Sequence, residues 1–184
     1  MSMFIALLSG ISAIMLFGAF GVRFAVTRRF PRRILIATLS SLLIMICSYW
    51  YFEYMFTFDS ISRGNMEEVT WPIVSPDETY VAIAYTESLG GAAGAVSVVV
   101  EVTNSSAEET SVIYYALANS RVSLDWVGDH VLQVTNEDYY DKGVNRSVTL
   151  DVRGDIYDER GRACKSYVMK GSFDMCYQHK RDAN

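Results

Sequence analysis

Arg23-Phe24-Ala25-Val26-Thr27-Arg28-Arg29-Phe30-Pro31-Arg32-Arg33 sets five arginines and a proline between two long uncharged apolar runs. Upstream, Met1 to Val22 contains no charged residue, and downstream Ile34 to Phe52 is nineteen uncharged residues. A hydrocarbon core of about 30 Å needs about 20 apolar residues at helical rise. Backbone polar groups in lipid must be satisfied within the segment, so both runs are expected to be helices. All the basic residues before Glu53 lie in the connecting stretch, namely Arg23, Arg28, Arg29, Arg32 and Arg33. Positive charge stays on the cytoplasmic side, which predicts a two-span hairpin over 1–55 with a cytoplasmic loop at 23–33. Both termini are then expected outside, and the bilayer is the first partner.

The end of the second run fits this direction. Tyr49, Trp50, Tyr51, Phe52 and Tyr54 surround a single carboxylate, Glu53, as expected of an aromatic belt at the headgroups. At the other end Arg32 and Arg33 can snorkel to the phosphates. Ala6 and Gly10 in the first run, and Ala37 and Ser41 in the second, stand four residues apart and would let two backbones approach. The first run lacks the basic start of a cleaved signal peptide. Cys47 follows a bulky Ile46 and reads as a buried apolar thiol of the second helix rather than a lipidation site.

Beyond residue 55 the composition changes. The whole chain is −5, but all 21 acidic residues lie from Glu53 onward, against 11 basic ones, so this part carries −10. Such a domain lacks the cationic surface that nucleic-acid affinity requires, and no nucleic-acid partner is expected. Residues 56–72 read as a polar stalk and 73–184 as an extracytoplasmic β-rich domain. Alternation appears at Val96, Val98, Val100 and Val102, at Val122, Leu124 and Trp126, and at Val148, Leu150 and Val152. That period marks strands with one buried face. Strands are predicted near 79–86, 95–103, 110–116, 121–127, 130–136 and 146–152, separated by turn residues such as Ser75-Pro76-Asp77 and Gly128-Asp129. Short breaks and no intervening helical stripe favour a mainly antiparallel fold, a small sandwich or a twisted meander.

Cys164 and Cys176 centre on Met169-Lys170-Gly171, which reads as a hairpin loop flanked by a seventh and an eighth strand. Such a hairpin would set the thiols opposite each other, and an outside location permits a disulfide worth roughly 3 kcal/mol. Two free thiols are the alternative.

Ser75-Pro76-Asp77, Tyr80, Ala84-Tyr85, Gly90-Gly91-Ala92, Glu101, Ile113-Tyr114 and Trp126 together resemble the domain-of-unknown-function family 5412 of Gram-positive bacteria, over about residues 64–158. The resemblance implies a membrane anchor and one small extracytoplasmic β-rich domain, and it carries no activity. Val99-Val100 stands where the pattern has an arginine and a glycine before Glu101, and the tail from Arg160 and the second apolar run exceed it.

No candidate site dominates. His130, beside Asp129 after Gly128, reads as a turn residue rather than a catalytic base. Asn136 to Gly143 gathers oxygen ligands, but the spacing fails the EF-hand pattern and a solvated loop is expected. Arg153-Gly154-Asp155 is turn chemistry, and Asn104 and Asn145 head glycosylation-type triplets. No catalytic residue, metal or cofactor is expected. Tyr114, Tyr115, Tyr139 and Tyr140 form a candidate partner surface, the alternative being half-buried strand side chains. The expected function is a non-enzymatic module that binds an envelope or membrane protein. The alternative is a membrane-complex subunit whose helical hairpin is the working part.

Overall fold

The computed structural model describes residues 2–27, 32–61, 64, 66–88 and 96–179. It divides into two units, Met1–Met55 and Phe56–Asn184.

The first unit is helical: α1 covers Ser2–Thr27 and α2 covers Arg32–Tyr54. Sequence free of proline, with charged residues only toward one end or both, lets each satisfy its backbone internally. α2 is long and apolar enough to cross a membrane; α1 carries a shorter apolar stretch, Gly10–Val22. Between the helices the Ser12 and Ser41 hydroxyls are 2.6 Å apart, and a Cβ on Gly10 would touch Met45 Sδ at 3.5 Å. Arg23 lies within α1 rather than in a loop, while Arg28 and Arg29 are outside the described residues. Arg32 and Arg33 open α2 and are exposed. At its other end Tyr49, Trp50 and Tyr51 are exposed, the Trp50 and Tyr54 rings stand 4.6 Å apart, and Tyr51 meets Phe52 edge-on. Cys47 is exposed on the helix surface, contrary to the burial expected of it.

The second unit is a mostly antiparallel β domain. Its strands are β1 Met66–Glu68, β2 Ile73–Val74, β3 Tyr80–Ser88, β4 Val96–Asn104, β5 Glu109–Leu117, β6 Arg121–Trp126, β7 Val131–Glu137, β8 Val148–Asp151, β9 Asp155–Asp158 and β10 Met175–Tyr177. One sheet runs β1-β3-β4-β5-β9-β10, with β2 also on β3, and the other runs β6-β7-β8. Ala82, Ala84, Val98, Val100, Ile113 and Tyr114 on the large sheet meet Leu124, Leu132, Val134 and Leu150 on the small one. This is the layered packing that one-faced alternation predicts.

Three expectations change. The stalk over 56–72 is part of the domain: Phe56, Phe58 and Ile61 are buried, and β1 pairs with β3. Together with Ala163 they cover the second face of the large sheet, over Val99, Val112 and Ile156. Arg63 and Asn65 in that stretch are outside the described residues. The cysteines are joined, Cys164 to Cys176 with Cα atoms 5.4 Å apart, but not across a hairpin. Cys164 sits in the short helix α3, Arg162–Lys165, and Cys176 in β10, which runs parallel to β9. The Ser166 hydroxyl accepts the N–H of Val168 and Met169, so α3 and side-chain turn chemistry replace the first of the two predicted strands, while β10 stands as the second.

Tyr114 and Tyr115 are the third correction. Tyr114 is fully buried between the sheets, and Tyr115 packs on the opposite face with its ring 6.4 Å from that of Phe56. Adjacent strand residues do face opposite ways. Both are covered because both faces of this sheet are.

Candidate functional site

β4 and β5 pair antiparallel with a register break between Val100 and Glu101, where Val100 meets Tyr114 but Glu101 meets Val112. Ile113 is the extra residue, which bends β5 as bulges do. β9 enters from the other sheet, because β8 ends at Asp151 and only Val152, Arg153 and Gly154 connect them. That turn is tied down: Val152 donates its N–H to the His130 carbonyl, Gly154 to the Asp151 carbonyl, and Asp155 Oδ2 accepts the Asp151 N–H. β9 therefore reaches β5 only at its end, pairing Tyr114 with Tyr157 and Tyr115 with Asp158. Below that point the strands part.

Between them lies a cleft of about 590 Å³, with Glu109–Ile113 lining one side and Val152–Ile156 the other. This volume lies within the usual range for ligand pockets, about 300–1,000 Å³. Among the described residues, the backbone of Glu109–Ile113 pairs only with β4, leaving one edge of the strand open. Asp59, Glu109 and Asp155 place carboxylates at the cleft. Arg153, also at the cleft, is held by Asp151 through a 2.6 Å ion pair. The guanidinium holds the Asp151 carboxyl below the ordinary carboxylate range, and that carboxylate raises Arg153 in turn.

A buried polar cluster fixes the point where the strands join. Asn136, fully buried, donates from Nδ2 to the Tyr114 hydroxyl and the Leu117 carbonyl, at 2.8 and 2.9 Å. Its Oδ1 accepts the Asn119 N–H at 2.8 Å. The Tyr114 hydroxyl donates to the Arg146 carbonyl, and Arg146 Nε donates to Glu159 Oε1 at 2.7 Å. Glu159 Oε2 accepts the Leu117 N–H. The rings of Tyr114 and Tyr157 stack at 4.8 Å. Burial pushes both phenols up, Tyr157 to about 12. These bonds lock β5, β7 and β9 together, and the cluster is a clamp rather than a reactive centre.

The residues singled out in the sequence are spread out. Tyr139 and Tyr140 are strongly exposed, on a loop where Asp138 Oδ1 accepts the Tyr140 N–H and Asp141 Oδ1 that of Gly143. Asn136, read with that loop, belongs instead to the core. Among the described residues no group of three His, Cys, Asp or Glu is placed to hold a metal. His130 is a turn residue whose carbonyl serves Val152. Asn104 and Asn145 accept backbone N–H groups two residues on. The cleft itself has no sequence signature, because it arises from where β9 enters, although the adjacent Ile113-Tyr114 pair marks the bulge.

The residues that carry the family resemblance are structural. Ser75 Oγ donates to Asp77 Oδ1 at 2.6 Å and accepts the Tyr80 N–H, closing the turn from β2 to β3. Glu78 holds a positive φ of 60° there. Trp126 Nε1 donates to the Ile73 carbonyl and its ring lies 6.3 Å from that of Tyr80. Gly90-Gly91-Ala92 is outside the described residues. At the departure from the pattern, Val99 and Val100 are buried on opposite faces of β4. No curated protein and no solved structure matches the chain. Residues 30–162 match the family described as "Family of unknown function (DUF5412)", and the chain belongs to that family.

Proposed function

We propose that the protein is a membrane-anchored, non-enzymatic binding module. α1 and α2 form a two-span hairpin with the arginine cluster in the cytosol, and the acidic β domain stands outside. The observation that carries the binding reading is the cleft, lined on two sides by consecutive five-residue runs, one of them a strand edge that among the described residues is paired on one side only. The Asp138 and Asp141 carboxylates accept backbone N–H groups and so hold the turn at that loop. The partner is an envelope or membrane protein.

A photo-crosslinking residue at Ser111, in the cleft, is compared with one at Ser105, in the exposed turn between β4 and β5, using the full chain in intact cells. A discrete adduct from Ser111 alone supports the reading. No adduct, or the same adducts from both positions, overturns it. The Ser12–Ser41 contact favours a second reading in which the helices are the working part of a membrane complex. Exchanging residues 1–55 for an unrelated anchor separates the two: retained function favours the module, lost function the helices.

A further inference from the structure

We propose that the cleft takes an extended, Lys/Arg-flanked segment of a partner protein, added as a β-strand along Glu109–Ile113; this rests on the binding reading above. An unpaired strand edge is a template for another chain, because its N–H and C=O groups already point outward at the right spacing. Sheets normally blunt such edges by shortness, lysine, proline or a cover. The outer strands of this sheet, β1 and β10, are three residues each. The open stretch of β5 has five residues and contains neither lysine nor proline. At about 3.4 Å per residue it spans about 17 Å.

Both faces suit alternating side chains. One side of the cleft offers Val102, Ile113 and Val152 from the inter-sheet core. The other offers Phe58, Val112 and Ile156 from the second core. An inserted strand would point successive residues into one and then the other. Among the described residues lining the cleft, Asp59, Glu109 and Asp155 are set against one arginine, already paired with Asp151, so the local field selects cationic flanks. A second copy of this chain is a poor occupant, since two domains of net charge −9 repel.

The test pans a displayed library of random nonapeptides against the full chain in nanodiscs, with empty nanodiscs as background. The expected winners alternate apolar residues between Lys or Arg ends and weaken at least tenfold when their edge-facing amides are N-methylated. Ser111→Trp fills the cleft from an exposed position and should cost a similar factor at unchanged melting temperature. Glu109→Lys should weaken the same peptides several-fold even if the tryptophan variant misfolds. Winners with helical spacing or acidic flanks, winners indifferent to N-methylation and Glu109→Lys, or no enrichment at all would overturn strand addition. If Ser111 still cross-links in cells while the library fails, only the strand chemistry falls; if both fail, the binding reading falls with it.

Discussion

Asn136 shows how much one side chain can hold. Its amide joins Tyr114, Leu117 and Asn119, drawn from β5 and the turn after it, while its backbone N–H takes the Ser147 hydroxyl. Asn136→Ala would strand the half-buried Leu117 carbonyl and Asn119 N–H. At about 1–3 kcal/mol for each unsatisfied group, the loss should be roughly 3–5 kcal/mol in urea unfolding. Tyr157 is the opposite case: among the described residues its buried hydroxyl has no hydrogen-bond partner. Tyr157→Phe keeps the ring stack on Tyr114, so it should leave stability unchanged or raise it by up to about 1 kcal/mol. A clear loss would mean that the hydroxyl is bonded. Asp77 supplies a pH signature, because the Ser75 and Thr79 hydroxyls lower its carboxyl from 3.8 to about 2. A depressed carboxylate stabilises the fold above its unfolded value and loses that contribution as pH falls through the folded one. Acid titration of unfolding should therefore steepen between about pH 4 and 2, and Asp77→Asn should flatten that part of the curve. The sequence announced Ser75-Pro76-Asp77 as a turn because turn chemistry is local. It could not announce Asn136, whose side-chain amide finds its partners 17 to 22 residues away.

Elements were legible where an alternating run lies between turn residues, and hidden where a strand is too short or its apolar anchors too sparse to show a period. β3 to β7 fall within one or two residues of the predicted strands because their alternation, set between turn residues, survives in sequence. β8 is two residues shorter than predicted at its start, where Arg146 and Ser147 turn back to Asn136. β9 is Asp-Ile-Tyr-Asp, too short to show a period, and it lies in parallel between two strands. The 56–61 segment looked like a stalk because its polar residues hide three anchors, Phe56, Phe58 and Ile61. The cysteine pairing was readable from spacing, but its geometry was not, since Met169-Lys170-Gly171 imitates a hairpin turn. The bridge instead ties α3 to β10 and so holds the strand that backs one wall of the cleft. Removing it as Cys164→Ser with Cys176→Ser should cost roughly 3 kcal/mol, the chain-entropy value for a loop of this length. Dithiothreitol should lower the denaturation midpoint of the parent by a similar amount and leave the double variant unmoved. If the parent ignores reductant while the variant is destabilised, the loss comes from packing at Cys176 rather than from the bond.

At the scale of the whole molecule the governing feature is the separation of charge: five arginines before Glu53, and a net charge of −10 from Glu53 onward. Cationic flanks resist translocation far more than acidic ones, so the arginine cluster, not the acidic domain, should set orientation. This can be tested without knowing the partner. With Cys47 changed to Ser and the native bridge intact, single cysteines at Ser105 and Thr27 are labelled by an impermeant maleimide. Ser105→Cys should react in intact cells, and Thr27→Cys only after permeabilisation. Replacing Arg28, Arg29, Arg32 and Arg33 with glutamine should then mix the two patterns, because the bias that holds the bend inside is gone. Replacing four acidic residues of the β domain should not. If the arginine variant keeps its orientation while the acidic variant loses it, charge acts from the other side of the membrane. The acidic cleft would then face the cytosol, where a partner strand meets a different set of proteins.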